Sequence, residues 1–158
     1  MLDKLLSYAK LFGMKSTAPK IAQEISLLLP TLMRHMFPYV FQPIHLPPSQ
    51  IIAIVSIHER GKCRLGDLKK EMHVSAPTIT GIINRLERDG YVRRITDRQD
   101  RRATNIVLTK KGITILKEFR GNIRKRWLHV LNKLPAETQE ALTMTLRRIT
   151  KGFTDGII

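Results

Sequence analysis

The sequence lacks a second cysteine, because its 158 residues contain only Cys63. An internal disulfide is therefore excluded, which favours a reducing, cytoplasmic compartment and a small buried role for Cys63. No apolar run approaches the roughly 20 residues that a membrane-spanning helix needs, so we expect no membrane partner. The N-terminal stretch carries Asp3 and Lys4 and has no small-residue cleavage site, which argues against a secretory signal.

Acidic residues are also scarce. The chain has 13 Asp and Glu against 28 Lys and Arg, giving a net charge of +15. Its hydrophobic content of 42% is near the globular norm and excludes a disordered basic tail. A folded protein of this charge is expected to neutralise phosphate, so we expect a nucleic-acid partner. Composition alone does not choose DNA over RNA.

Hydrophobic spacing predicts a mainly α fold. A short N-terminal helix is expected over residues 2–12, and a second helix begins at Ser16, is kinked by Pro30 and ends where Pro38 starts a loop. The remaining predicted elements are helices 49–60, 65–72 and 76–89, strands 91–96 and 104–109, and helices capped by Thr109 and opened by Pro135. The last helix is expected to end near Gly152.

Two of these helices are separated by a three-residue break at residues 73–75, and a hairpin with an arginine-rich tip follows them. Ser75 is a good N-cap, and Ile79, Ile82, Ile83 and Leu86 form a buried stripe on the second helix. This order predicts a winged helix-turn-helix, in which the hairpin is a small β wing. The terminal helices have more apolar surface than a small winged domain can cover, so we expect them to form a dimerisation core.

The polar face of residues 76–89 is the first candidate binding surface. A helix enters the major groove of B-DNA with a polar outer face while its apolar face packs on the domain. The candidate DNA-binding residues on this face are Thr78, Thr80, Gly81, Asn84, Arg85 and Arg88. The alternative is an ordinary solvated helix face.

The hairpin tip is the second candidate surface. Three of its residues are arginines, whereas turns normally favour Gly, Asn and Pro. Arginine suits the narrow minor groove, where negative potential is concentrated. The candidate DNA-binding residues here are Arg98, Asp100, Arg101 and Arg102, whereas Asp97 has no assigned partner.

Three segments carry a resemblance to a known family. They are LERDGYVRR at residues 86–94, DRQDRRA at 97–103 and VLTKKG at 107–112. Together they resemble the signature of MarR-type (multiple-antibiotic-resistance regulator) winged helix-turn-helix transcriptional regulators, over about residues 17–152. Residues 1–15 lie before the usual start of the family and are expected to be an additional helical arm.

The resemblance implies a homodimer that binds double-stranded DNA at a pseudo-palindromic operator and represses transcription, with release by a small aromatic effector. It implies that residues 76–89 are the recognition helix and that Asp100 supports Arg102 in the minor groove. The implied divisions are 1–15 for the arm, 16–45 for a dimerisation helix and loop, 46–109 for the winged domain and 110–158 for the C-terminal dimerisation helices.

Other classes of function are less well supported. A non-specific architectural or RNA-binding protein would need exposed aromatics or a continuous basic face, and the basic centre has only Tyr91. No phosphate loop, serine elbow, paired-carboxylate motif or metal-ligand spacing is present, so we expect no enzyme, no cofactor and no metal site.

Overall fold

A computed structural model of the chain describes residues 18–41, 44–97 and 104–155. The described elements are α1 (Ala18–Phe41), α2 (Pro48–Arg60), α3 (Leu65–Glu71), α4 (Ala76–Arg88), β1 (Val92–Thr96), β2 (Thr104–Leu108), α5 (Lys110–Leu131) and α6 (Ala136–Thr154). The two strands pair antiparallel, from Val92 opposite Leu108 to Thr96 opposite Thr104. The predicted mainly α fold with a β-hairpin wing is therefore confirmed. The predicted helix 2–12 lies outside the described residues.

The chain forms two compact units that divide within α1, between Phe37 and Pro38. The described part of the first unit is residues 18–37, and none of these residues is buried. On its apolar stripe Ile21, Ile25, Leu28 and Leu32 are between 43% and 53% exposed. The described residues of this unit therefore leave the apolar stripe of the helix uncovered.

The second unit contains the hydrophobic core. Helices α2, α3 and α4, both strands and the first half of α5 contribute fully buried side chains, which include Ile51, Ile54, Ile57, Leu68, Ile79, Ile83, Leu86, Ile106 and Leu116. Cys63 is buried beside β2, where it pairs with Ile106 as a short bridge. This confirms that Cys63 is a small core residue, and burial raises the pKa of its thiol to about 11.

The expectation that α1 ends where Pro38 begins a loop is wrong, because the helix continues to Phe41. Its last turn is held by tertiary contacts. Val40 is buried and its carbonyl accepts a hydrogen bond from Asn122 at 3.5 Å, and the Phe41 and Phe119 rings lie 5.3 Å apart. These contacts outweigh the backbone hydrogen bond that a proline removes.

The turn between α3 and α4 has the geometry that the sequence predicts. His73 adopts a left-handed conformation with φ 51°, which reverses the chain after α3. Ser75 then caps α4, because its side chain accepts a hydrogen bond from the backbone N–H of Thr78 at 3.3 Å. The N-cap prediction is confirmed, and the cap determines where α4 begins.

The start of α5 is fastened to the beginning of the wing. Thr109 donates from its hydroxyl to the carbonyl of Gly90 at 2.6 Å and accepts from the backbone N–H of Gly112 at 3.1 Å. A side chain at Gly112 would place its Cβ 2.2 Å from the carbonyl oxygen of Tyr91. Only glycine allows this approach of the two backbones, which explains the glycine that closes the segment VLTKKG.

Candidate nucleic-acid interface

Helix α4 has one apolar face and one polar face. Ile79, Ile83 and Leu86 are fully buried and Ile82 is 6% exposed, so this side packs on the core. On the other side Thr78, Asn84, Arg85 and Arg88 are exposed, and Thr80 and Gly81 are half-buried. A methyl group at Gly81 would meet nothing within 4 Å. The structure thus brings together all six candidate residues of this helix on one accessible surface.

The two threonines near the start of α4 use their hydroxyls within the helix. Thr78 shares a hydrogen bond of 2.7 Å with Ser75, and Thr80 donates to the carbonyl of Ala76 at 2.7 Å. Because the Thr80 proton is used in this way, its oxygen remains available as an acceptor. We therefore expect Thr80 to contact a donor rather than an acceptor of a ligand.

Arg88 is paired with its neighbour Asp89, from Nε to Oδ1 at 2.9 Å. The hydrogen bond to Asp89 raises the pKa of Arg88, and the hydrogen bond from Arg88 lowers the pKa of Asp89. Both groups are solvent-exposed, and the carboxylate offsets the local charge of Arg88. Arg85 is therefore the stronger candidate for an attractive contact with phosphate or a guanine edge.

Asn84 takes part in a network that the sequence analysis missed. Arg94 of β1 donates from one terminal nitrogen to Oδ1 of Asn84 at 2.9 Å and from the other to Oε2 of Glu87. The backbone N–H of Arg94 also donates to Oε1 of Glu87 at 3.1 Å. Arg94 and Glu87 lie in the segment LERDGYVRR, but only the packing of β1 beside α4 shows that they meet.

The base of the wing gives Asp97 a partner that the sequence did not assign. Its Oδ2 accepts a hydrogen bond of 2.6 Å from Asn105, which is 5% exposed. A buried amide needs such an acceptor, so Asp97 belongs to the structural base of the hairpin. Arg98, Asp100, Arg101 and Arg102 lie outside the described residues, and their assignment stays a prediction.

Two lysines at the start of α5 differ in their contacts. The ammonium group of Lys111 donates to the carbonyl of Asp89 at 2.8 Å and lies 4.5 Å from the centre of the Tyr91 ring. It thus satisfies a carbonyl at the C-terminal end of α4, where the helix dipole favours a cation. Lys110 is exposed beside it. Lys110 is consequently the better candidate for a phosphate contact.

The described part of the chain contains no group of three His, Cys, Asp or Glu side chains that could hold a metal ion. Within the same residues, no helix is long and apolar enough to cross a membrane.

Comparison with known proteins gives a family match for the central part of the chain. The MarR family matches residues 46–104, which span α2 to the first residue of β2 and so contain α4 and the residues around it. Residues 46–104 of this chain are thus similar to the MarR family, which is one of transcriptional regulators. The resemblance is confirmed over this range, which includes the first two of the three sequence segments.

One curated relative is the HTH-type transcriptional regulator BilQ of Clostridioides difficile, which is 30% identical over 98 residues. The match covers 62% of this chain and 66% of BilQ, just under two thirds of its length.

Two solved structures share the fold. A MarR family protein from Bacillus stearothermophilus is 22% identical with a TM-score of 0.77, and the match covers 88% of this chain and 99% of that protein. The F27L mutant of MepR from S. aureus, bound to an oligodeoxyribonucleotide, is 21% identical with a TM-score of 0.62, and the match covers 81% and 96%.

Proposed function

We propose that the chain is a homodimeric, sequence-specific DNA-binding transcriptional regulator that inserts α4 into the major groove. The observation that carries this proposal is the two-sided character of α4: its apolar face is buried in the core, while Asn84, Arg85 and Arg88 are exposed on the other face. The net charge of +15 favours a polyanion as the ligand. The solved MepR complex with an oligodeoxyribonucleotide shares this fold.

The dimer is supported by apolar surface that the described residues of the chain do not cover. No residue of α6 is buried, and Leu146, Ile149 and Phe153 are 45%, 44% and 64% exposed. Residues 18–37 of α1 have a similar exposed stripe. A second copy that covers these surfaces would place two α4 helices on one face of the duplex, about one helical turn or 10 base pairs apart.

The wing is proposed to contribute a minor-groove contact through Arg102, with Asp100 orienting it. Removing a carboxylate normally strengthens DNA binding, because the protein becomes more positive. An orienting role predicts the opposite, so Asp100→Ala should weaken binding and Arg102→Ala should weaken it more. Binding of Asp100→Ala as tight as that of the parent would refute this role. The contact of Asp97 with Asn105 makes Asp97→Ala unsuitable as a neutral control.

We also propose that the protein represses transcription and that a small aromatic effector releases it from DNA. Both steps rest on the resemblance to a family whose members usually repress, and of which many are released by small aromatic ligands, metals or oxidants. Transcription in vitro from a template carrying the bound site tests the sign of regulation. Phenolic compounds added to the protein–DNA complex test the release, and an unchanged dissociation constant with every compound would argue against it.

The decisive experiment is selection of bound DNA from a random pool at about 150 mM salt. The proposed function predicts a two-fold symmetric consensus with half-sites about 10 base pairs apart. Enrichment of no sequence would instead favour a non-specific architectural or RNA-binding protein, since phosphate contacts alone carry no sequence information.

A further inference from the structure

The contact between Arg94 and Asn84 fixes the orientation of an amide on the candidate recognition surface. A guanidinium group has donors and no acceptor, so the atom of Asn84 that lies 2.9 Å from Arg94 is its oxygen. The NH2 group of Asn84 must then point away from Arg94. An exposed asparagine without such a partner would present either its oxygen or its nitrogen to a ligand.

Glu87 fixes Arg94 in turn. Its carboxylate accepts from the backbone N–H of Arg94 and from a guanidinium nitrogen, so both ends of the Arg94 side chain are held. The Arg94 and Glu87 side chains are each 34% exposed, which leaves them partly shielded from water. Asn84 and Glu87 are three residues apart on α4 and therefore lie on neighbouring turns of one face. One arginine of the wing thus links both turns.

We propose that Arg94, held by Glu87, is a positioning residue for base recognition by Asn84. It keeps the NH2 group of Asn84 turned toward the ligand, so Asn84 reads its base pair as a hydrogen-bond donor. This inference rests on the proposed function, because it requires that α4 reads DNA. It assigns to Arg94 a role in sequence discrimination that differs from a charge contact with phosphate.

Arg93 provides a matched control, since it is exposed, carries the same charge and is adjacent to Arg94 on β1. Successive side chains of a strand point to opposite faces, so Arg93 and Arg94 are directed to opposite sides of the wing. Loss of a phosphate contact at either position would weaken binding to all sequences alike. Only loss of the Asn84 orientation would change the preference at one base position.

The test begins with the consensus selected from random DNA by the parent protein. Dissociation constants are then measured for that site and for its single-base variants, with random DNA as the reference. Asn84→Ala should reduce discrimination about tenfold at one base pair in each half-site. Arg94→Ala should reduce discrimination at the same pair by at least about threefold. The double variant should resemble Asn84→Ala.

Further variants separate positioning from charge and from folding. Arg94→Lys keeps the positive charge but lacks the two guanidinium nitrogens that contact Asn84 and Glu87. It should therefore lose discrimination while its affinity for random DNA is retained. Glu87→Gln removes a negative charge and should bind random DNA more tightly, yet discriminate less. Arg93→Ala should weaken all sequences alike. Thermal unfolding of each variant identifies any that fails to fold.

Two results would overturn the inference while leaving the proposed function intact: full discrimination by both Arg94→Ala and Arg94→Lys, or an effect of Arg94→Ala at a different base pair from that of Asn84→Ala. A selection that yields no consensus would overturn the inference together with the proposed function.

Discussion

Helices α4 and α6 are both amphipathic, but their apolar faces have opposite environments. The four apolar residues of α4 are at most 6% exposed, whereas Leu146, Ile149 and Phe153 of α6 are at least 44% exposed. The repeat of apolar residues is helical in both cases. The repeat therefore predicts which face of a helix will be buried. It does not predict whether residues of the same chain or of a second chain bury that face.

The difference separates two sources of stability. The winged domain buries its own core, so we expect its folding to be independent of protein concentration. Helix α6 gains little from its apolar stripe within one chain, so its stabilisation should depend on a second copy and hence on concentration.

The double substitution Leu146→Asp with Ile149→Asp should abolish the proposed dimer. Each protomer would bring two carboxylates into an apolar interface, at a cost on the order of 4 kcal/mol or more per dimer. This corresponds to about a thousandfold weaker association. Sedimentation equilibrium at micromolar concentration should then detect monomers. Met144→Asp is the control, because Met144 is 56% exposed and lies on the opposite face of α6. If both variants remain dimeric, another surface forms the interface.

The substitution Ile83→Ala should destabilise the winged domain by about 2–5 kcal/mol, because it leaves a cavity in a fully buried core. The loss should be the same at every protein concentration in urea denaturation. Ile149→Ala removes the same atoms from α6, and its effect should grow smaller when the protein is diluted below its dimer dissociation constant. Losses of stability that are equal at the two positions and independent of protein concentration would contradict the claim that α6 is stabilised by a second copy.

The sequence predicts only part of the candidate DNA-binding surface on α4. The Ser75 cap, the buried stripe of α4 and the exposure of Asn84 and Arg85 follow from local spacing, and the structure confirms them. The hydrogen bond from Arg94 to Asn84 does not follow from sequence spacing, because it depends on how β1 packs beside α4. The expectation that Pro38 ends α1 was wrong for a similar reason. Tertiary contacts of Val40 and Phe41 outweigh the loss of the backbone hydrogen bond that proline causes.

The substitution Gly112→Ala should destabilise the protein by about 1–3 kcal/mol. Its Cβ would lie 2.2 Å from the carbonyl oxygen of Tyr91, and a backbone atom cannot move aside as the end of a side chain can. Gly121→Ala is the matched control on the same helix, because a Cβ there would meet nothing within 4 Å. It should stabilise α5 by up to about 1 kcal/mol. Thermal unfolding of both variants measures the difference, and equal shifts would disprove the close approach.

The smallest expected effect is a dependence of stability on pH within the winged domain. A hydrogen bond from Ser56 is the main cause that lowers the pKa of Glu71, and Arg60 lowers it further through a hydrogen bond and its charge. Because the folded state holds the carboxylate below its unfolded pKa, the stabilisation is complete at neutral pH. It is lost as the pH falls through the pKa of the folded state.

Glu71→Gln should therefore lower the free energy of unfolding at pH 7 by about 0.5 kcal/mol, a value kept small because solvent screens an exposed pair. The variant and the parent should converge as the pH falls below the pKa of the folded state, since the parent carboxylate is then protonated in both states. Glu140→Gln makes the same change of charge at an exposed position of α6 and should have a smaller effect at pH 7. Urea denaturation of the three proteins at pH 7 and pH 3 measures both differences. A loss for Glu71→Gln that is equal at the two pH values would show that the carboxylate contributes through packing and that its charge is unimportant.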